Sequence, residues 1–190
     1  MNPGPNTIRQ HIALLRGINV GRAKRVAMAD LRKLMTDLGF CNVRTLLNSG
    51  NVVFGSARHG PAEAAVMIEE ALVLKLGVAS RVTVLDAVQF GDIVKENCLC
   101  ELADDPSRLV VSVLNNPSDV RRLAPLLKQD WGPEALAAGK WAAYLWCPGG
   151  VLASRAAAAM GALLGDAVTS RNWSTISKLY ALACEQAAPT

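Results

Sequence analysis

The sequence predicts an α+β protein made of two tandem ferredoxin-like (α/β-plait, β-α-β-β-α-β) units with an extra C-terminal helix. Three observations carry this. Strand-length apolar runs and stretches of helical spacing recur in the same order twice along 190 residues. In each half two of the strands are joined by a connection short enough to make them a hairpin. Glycine and proline fall where helices should start and stop. The expected boundaries are 7–86 for the first unit, 87–107 for a helical connector, and 108–190 for the second unit with its last helix.

Taken in order, Met1–Thr7 contains Pro3, Gly4 and Pro5 and reads as a disordered tail. Ile12, Ala13, Leu14 and Leu15 form the first strand, which runs into a loop bracketed by Gly17 and Gly21. From Met28 to Gly39, Leu31, Leu34, Met35 and Leu38 keep the spacing of an amphipathic helix, with Gly39 as its stop. Asn42–Asn48 and Asn51–Phe54 read as strands joined through Ser49-Gly50. Pro61 opens a second helix that ends at Gly77, and Arg81–Leu85 is the fourth strand.

Val88–Asn97 reads as a short helix and Glu101–Ser107 as a polar connector. The series then repeats. Leu109–Leu114 is a strand, and Ser118 after Pro117 caps a helix running towards Gln129. Glu134–Ala138 and Trp141–Cys147 pair around Gly139-Lys140, Val151–Leu164 is a helix and Ala167–Ser170 a strand. The final helix, Trp173 to Gln186, has Trp173, Ile176, Leu179, Tyr180 and Ala183 on its apolar face. No residue-level repeat accompanies the repeated order.

Composition narrows the function classes. The chain is 51% hydrophobic and 19% charged, as globular proteins are, and large enough to bury a core without staples. A net charge of +4 admits an anionic partner but falls short of a strongly basic nucleic-acid binder. The five cysteines (Cys41, Cys98, Cys100, Cys147 and Cys184) are scattered and odd in number. With no secretory signal and no apolar run of membrane-spanning length, they read as reduced thiols of a cytoplasmic protein.

The basic loop is the first candidate site. Arg16, Arg22, Lys24 and Arg25 crowd together without an acid among them, and Asn19 and Gly21 add backbone freedom. Gly17 to Gly21 fits neither a dinucleotide fingerprint nor a Walker loop. One reading is a nest in which Arg16 and main-chain N–H groups hold a phosphate or carboxylate. The other is a turn that needs glycine, with Arg22, Lys24 and Arg25 in water.

At the hairpin, Asn48, Ser49 and Asn51 are ordinary turn residues. Asn51 nevertheless starts the strand that the split topology sets beside Arg16. At the end of the chain, Asn172 is placed to cap the last helix. Arg171, Thr175 and Lys178, at spacings of four and three, share a face that suits an anion, and Trp173 offers either a packed core residue or a flat wall for a base or sugar.

Three stretches together, LLRGINVGR at Leu14–Arg22, NSGNVVF at Asn48–Phe54 and SRNWSTISKL at Ser170–Leu179, resemble the bacterial family of unknown function DUF1697. The resemblance runs from about Thr7 to Cys184. It implies paired α/β-plait units and no activity. Ala27 stands where the family usually has proline, and Ser154-Arg155 where it usually has lysine.

The sequence holds no recognisable metal-ligand set and no recognisable catalytic nucleophile. Cys98 and Cys100 lack the usual two-residue ligand spacing, and His11 and His59 have no triad context. No cofactor and no catalytic residue is named, and whether the chain is an enzyme stays open. The leading expectation is a small anionic ligand between the units, held by Arg16, Gly17, Asn19, Gly21, Asn48, Ser49, Asn51, Arg171, Asn172, Trp173 and Lys178. The rivals are a nucleic-acid binder using the basic loop and Trp173, and an oligomeric interaction scaffold. Aromatics make up only 5% of the chain and the first strand has none, which disfavours base stacking on the sheet.

Overall fold

The computed structural model describes residues 7–21 and 24–187, with side chains as far as Glu185. Of the expected tail only Thr7 lies within them, and Arg22 of the basic loop lies outside. The chain divides into two compact units, Met1–Val88 with Leu179–Thr190, and Gln89–Lys178.

The first unit contains β1 (Arg9–Leu15), α1 (Met28–Asp37), β2 (Cys41–Leu46), β3 (Asn51–Ser56), α2 (Pro61–Leu76) and β4 (Val82–Asp86). Its strands form one antiparallel sheet in the order β2-β3-β1-β4. Ala13 stands between Val52 and Val84, and Ile12 between Val53 and Leu85. The two-residue period of a strand thus puts Ala13, Leu15, Val52, Phe54, Val82 and Val84 on one face. There they form a core with Leu31, Leu34 and Met35 of α1 and Ile68 and Leu72 of α2. Ile12, Leu14, Val53 and Leu85 on the other face are buried as well. This double burial is why β1 reads as a continuous apolar run instead of an alternating one.

Both helices stop where glycine permits. Gly77 takes φ +66° after α2, and the next residue, Val78, donates to Leu72 O at 3.1 Å and buries its side chain. Gly39 takes φ +87° after α1.

α3 (Ala87–Lys95) straddles the division between the units. The rest comprises β5 (Leu109–Leu114), β6 (Ala135–Ala138), β7 (Ala142–Trp146), α4 (Arg155–Leu164), β8 (Val168–Asn172) and α5 (Trp173–Ala187). The second sheet is antiparallel in the order β6-β7-β5-β8. Val110, Leu114, Ala143 and Leu145 pack there with Leu123, Trp131, Ala156, Met160 and Leu164. No helix among the described residues is long and apolar enough to cross a membrane.

Three elements differ from expectation. The helix expected over Ser118–Gln129 is a 3-10 segment, Pro117–Leu123, followed by turns. Pro125 has no N–H to continue an α-helical ladder, and the chain turns instead through Leu126 N donating to Leu123 O at 2.9 Å. The cap is Asn116, whose Oδ1 accepts from Ser118 N, so Ser118 is not the capping residue.

The helix expected over Val151–Leu164 begins only at Arg155. Ser154 Oγ accepts from Ala157 N at 3.0 Å, and Glu134 accepts from Ser154 Oγ, Arg155 N and Ala156 N at 2.7, 3.0 and 2.9 Å. Burial works against the Glu134 carboxylate, but these donors outweigh it and hold its pKa below the usual value.

The first hairpin turns over four residues, Leu47–Gly50, not through Ser49-Gly50 alone. The side chain of Asn51 closes that turn, donating to Leu46 O at 2.9 Å and to Ser49 Oγ at 3.0 Å.

His11 is fully buried and stacks on Phe54 with ring centroids 5.4 Å apart. Its Nδ1 lies 2.9 Å from Arg9 O, so that nitrogen carries the proton, and Nε2 is buried with no hydrogen-bond partner among the described residues. Burial lowers its pKa from the ordinary 6.5. Above that pH the native and unfolded chains are both neutral here and nothing is lost. As pH falls below 6.5 the unfolded chain takes up a proton that native His11 resists, so stability drops by up to about 1.4 kcal/mol per pH unit. Urea titrations at pH 7 and pH 5.5 should show His11→Phe losing less stability than the parent. An equal loss in both would show that His11 contributes nothing to the acid sensitivity.

Candidate functional site

The loop after β1 is shaped by its backbone. Arg16 prolongs the pairing of β1 with β4, its N–H donating to Arg81 O at 2.9 Å while its carbonyl accepts from Ser80 Oγ at 2.9 Å. Gly17 and Gly21 take φ +67° and +62° in open space, so conformation alone calls for glycine there.

Asn19 also lies in the left-handed region, at φ +56°, which asparagine tolerates better than most residues. Its N–H donates to Lys24 O at 3.0 Å. Its side-chain amide then pairs with Val26 as a strand would, Oδ1 accepting from Val26 N and Nδ2 donating to Val26 O, both at 2.9 Å. Nδ2 donates a second time, to Asn48 O at 2.7 Å. One side chain therefore ties the basic loop to the hairpin turn, across 29 positions of sequence.

Gly50 completes the junction. Its carbonyl accepts from Leu15 N at 2.8 Å, its φ is +76°, and a Cβ there would stand 2.7 Å from Leu15 Cβ and 2.8 Å from Ile18 Cδ1. Next to it Asn51 is fully buried opposite Leu14.

Beside this knot lies a cavity of about 410 Å³ lined by Asn19, Arg25, Val26, Ala27, Met28 and Asn48. Arg25 and Asn48 are exposed. Ala27 is the residue before α1, extended at φ −69°, ψ 138°, and no side chain caps the helix. The wall of the cavity thus includes the start of a helix whose first N–H groups have no side-chain cap among the described residues.

The expected residues of the second unit form their own constellation. Arg171 pairs with Val111 in the sheet, and its Nη1 donates to Ser170 O at 2.8 Å. Burial pushes its guanidinium down to about 10, still protonated at neutral pH. Asn172 Oδ1 accepts from Thr175 N at 2.9 Å and Thr175 Oγ1 at 2.7 Å, so its side chain caps α5. Trp173 opens that helix half-buried, and Lys178 is exposed.

The cavity thus gathers Asn19 and Asn48 among the residues expected from sequence. Ser49 and Asn51 serve the turn behind it. Arg25, read from sequence as solvated, lines the cavity, as do Val26, Ala27 and Met28, none of which sequence reasoning singled out as binding residues. The signal that was available is Ala27, a residue with no capping group directly before a helix. Among the described residues no cluster of three or more metal-ligating side chains occurs.

The chain matches the family model described as "Protein of unknown function (DUF1697)" over residues 8–144. Among solved structures it is similar to the conserved bacterial protein SP0830 from Streptococcus pneumoniae. The two are 23% identical with a TM-score of 0.76, over 93% of this chain and 99% of that one, a likeness that bears on fold alone. No curated protein matches the chain.

Proposed function

The chain belongs to the DUF1697 family, a membership that brings no activity with it, and we propose that it binds a small phosphate- or carboxylate-bearing ligand in the cavity of the first unit. The supporting observation is that cavity itself: a guanidinium, Arg25, an exposed amide, Asn48, and the uncapped start of α1 share one concave wall of about 410 Å³. An anion there meets a positive charge and the positive end of a helix dipole. Each charge-assisted hydrogen bond contributes about 1.5–3 kcal/mol, which suits millimolar to micromolar recognition of a metabolite. In the same reading both sheets are α/β plaits of the ferredoxin-like kind. The antiparallel order with first and third strands central supports it, although a 3-10 segment replaces one helix in the second unit.

Calorimetric titration with inorganic phosphate, acetate, polyphosphate and a short oligonucleotide tests the proposal. Arg25→Gln should weaken binding of the preferred small anion about 10- to 100-fold, with the melting temperature unchanged, because Arg25 is exposed. Added salt should weaken that binding only shallowly, whereas a polynucleotide ligand would show a steep response through counterion release. No saturable heat with any small anion, or full affinity in Arg25→Gln, would defeat the reading.

A further inference from the structure

Independently of the cavity, we propose that Cys98 and Cys100 form a reversible dithiol–disulfide pair, an oxidation site in the turn that follows α3. Both cysteines are exposed, whereas Cys147 is buried and Cys41 half-buried. The segment between them is coiled, not extended. Leu99 N donates to Asn97 Oδ1 at 3.1 Å, and Leu99 O accepts from Leu102 N at 3.2 Å and from Ala103 N at 3.1 Å. Consecutive Cα atoms are about 3.8 Å apart, so residues two apart in a turn stand at about 5–6 Å, within the span a disulfide bridges.

The frame around the turn is anchored. Glu96 accepts from Lys140 N at 2.8 Å, and the Tyr144 hydroxyl donates to Ile93 O at 2.9 Å. With the α3 side held in this way, closing the pair asks for movement of the turn that follows it. The two thiols also share one electrostatic neighbourhood. Partial burial of its sulfur, then Cys98, then Glu101 push the thiol of the exposed Cys100 up. That raises the cost of the Cys100 thiolate and suits Cys100 to the second, resolving step.

The chemistry is thiol–disulfide exchange with a low-molecular-weight disulfide. Cys98 thiolate attacks one sulfur of the reagent and expels the other as a thiol, leaving a mixed disulfide. Cys100 gives up its proton and attacks Cys98 Sγ, expelling the second thiol. The protein loses two protons and two electrons, and the reagent gains them as two thiols. A bridge between residues this close in sequence is strained and exposed, which makes it easily reduced again.

The full chain equilibrated in glutathione buffers, quenched in acid and cut with trypsin gives a direct reading. Lys95 and Arg108 bracket a single peptide, Glu96–Arg108, that carries both cysteines. In oxidising buffer this peptide from the monomer should be lighter by two hydrogens, and reduction should restore it. Cys98→Ser should abolish that loss and leave Cys100 as free thiol or glutathione adduct. Two free thiols or two separate adducts in the peptide, at a poise where exposed Cys184 already carries glutathione, would overturn the proposal. So would cross-linked dimers without the internal bridge.

Discussion

Gly50→Ala is expected to destabilise the protein by about 2–5 kcal/mol, from about 1–2 for a left-handed residue with a side chain and about 1–3 for overpacking. The second component is the informative one. At φ +76° the new methyl would stand 2.7 Å from Leu15 Cβ and 2.8 Å from Ile18 Cδ1, and neither neighbour can easily withdraw. Leu15 is fixed in β1 and its N–H is bonded to Gly50 itself, while Ile18 is 2% exposed. Gly17→Ala is the control. It has a similar φ of +67° but nothing within 4 Å of the added atom, so it should cost only the backbone component, about 1–2 kcal/mol. Urea midpoints for the pair separate conformation from crowding. If Gly50→Ala proves no worse than Gly17→Ala, the close contact between the hairpin turn and β1 is wrong. The loss is a large share of the 5–15 kcal/mol that holds a typical domain together, so the variant should also be more sensitive to proteolysis.

Asn19→Ala should cost about 2–4 kcal/mol, because three side-chain hydrogen bonds disappear at about 0.5–1.5 kcal/mol each and a left-handed residue loses its favoured side chain. Asn19→Gly accepts φ +56° but not the bonds, so it should fall between the parent and alanine. Asn19→Asp keeps the acceptor for Val26 N and loses both donations, to Val26 O and Asn48 O. The order parent, glycine, alanine in denaturation midpoint is the signature of a staple. An alanine variant within about 0.5 kcal/mol of the parent that no longer binds a small anion would instead make Asn19 a ligand contact, since truncating a surface contact rarely costs more than that. Both outcomes concern one cavity wall: Asn19 holds Val26 and Asn48, and those two residues line the space beside it.

Much of this was readable from local sequence. Leu31, Leu34 and Met35 announce the buried face of α1, and the structure buries those three. Pro61 and Gly77 mark the ends of α2, and Leu109–Leu114 is a strand with the limits its apolar run suggests. These features repeat at two residues or at three and four, or depend on one residue's own φ, so adjacent side chains carry the information. Where two local signals conflict, the backbone constraint prevails over the apolar pattern. Ser118 and the apolar pattern beyond it suggested a helix, but Pro125 interrupts the hydrogen-bond ladder that such a helix needs.

The candidate site belongs to a different class of information. GINVG and NSGN each look like turn chemistry when taken alone, and each is a turn. Only folding shows that the amide of Asn19 reaches the carbonyl of Asn48, 29 positions away, and that Gly50 is glycine because Leu15 and Ile18 lie against it. The same holds for Arg25. Nothing in its immediate neighbours separates a solvated cation from one on a cavity wall, and the difference is made by the start of α1 and the hairpin turn converging on it. Element order, helix limits and the apolar strands follow from the chain's own periodicity and backbone preferences. The cavity, the staple and the crowding at Gly50 arise from contacts between segments distant in sequence, which no local preference encodes.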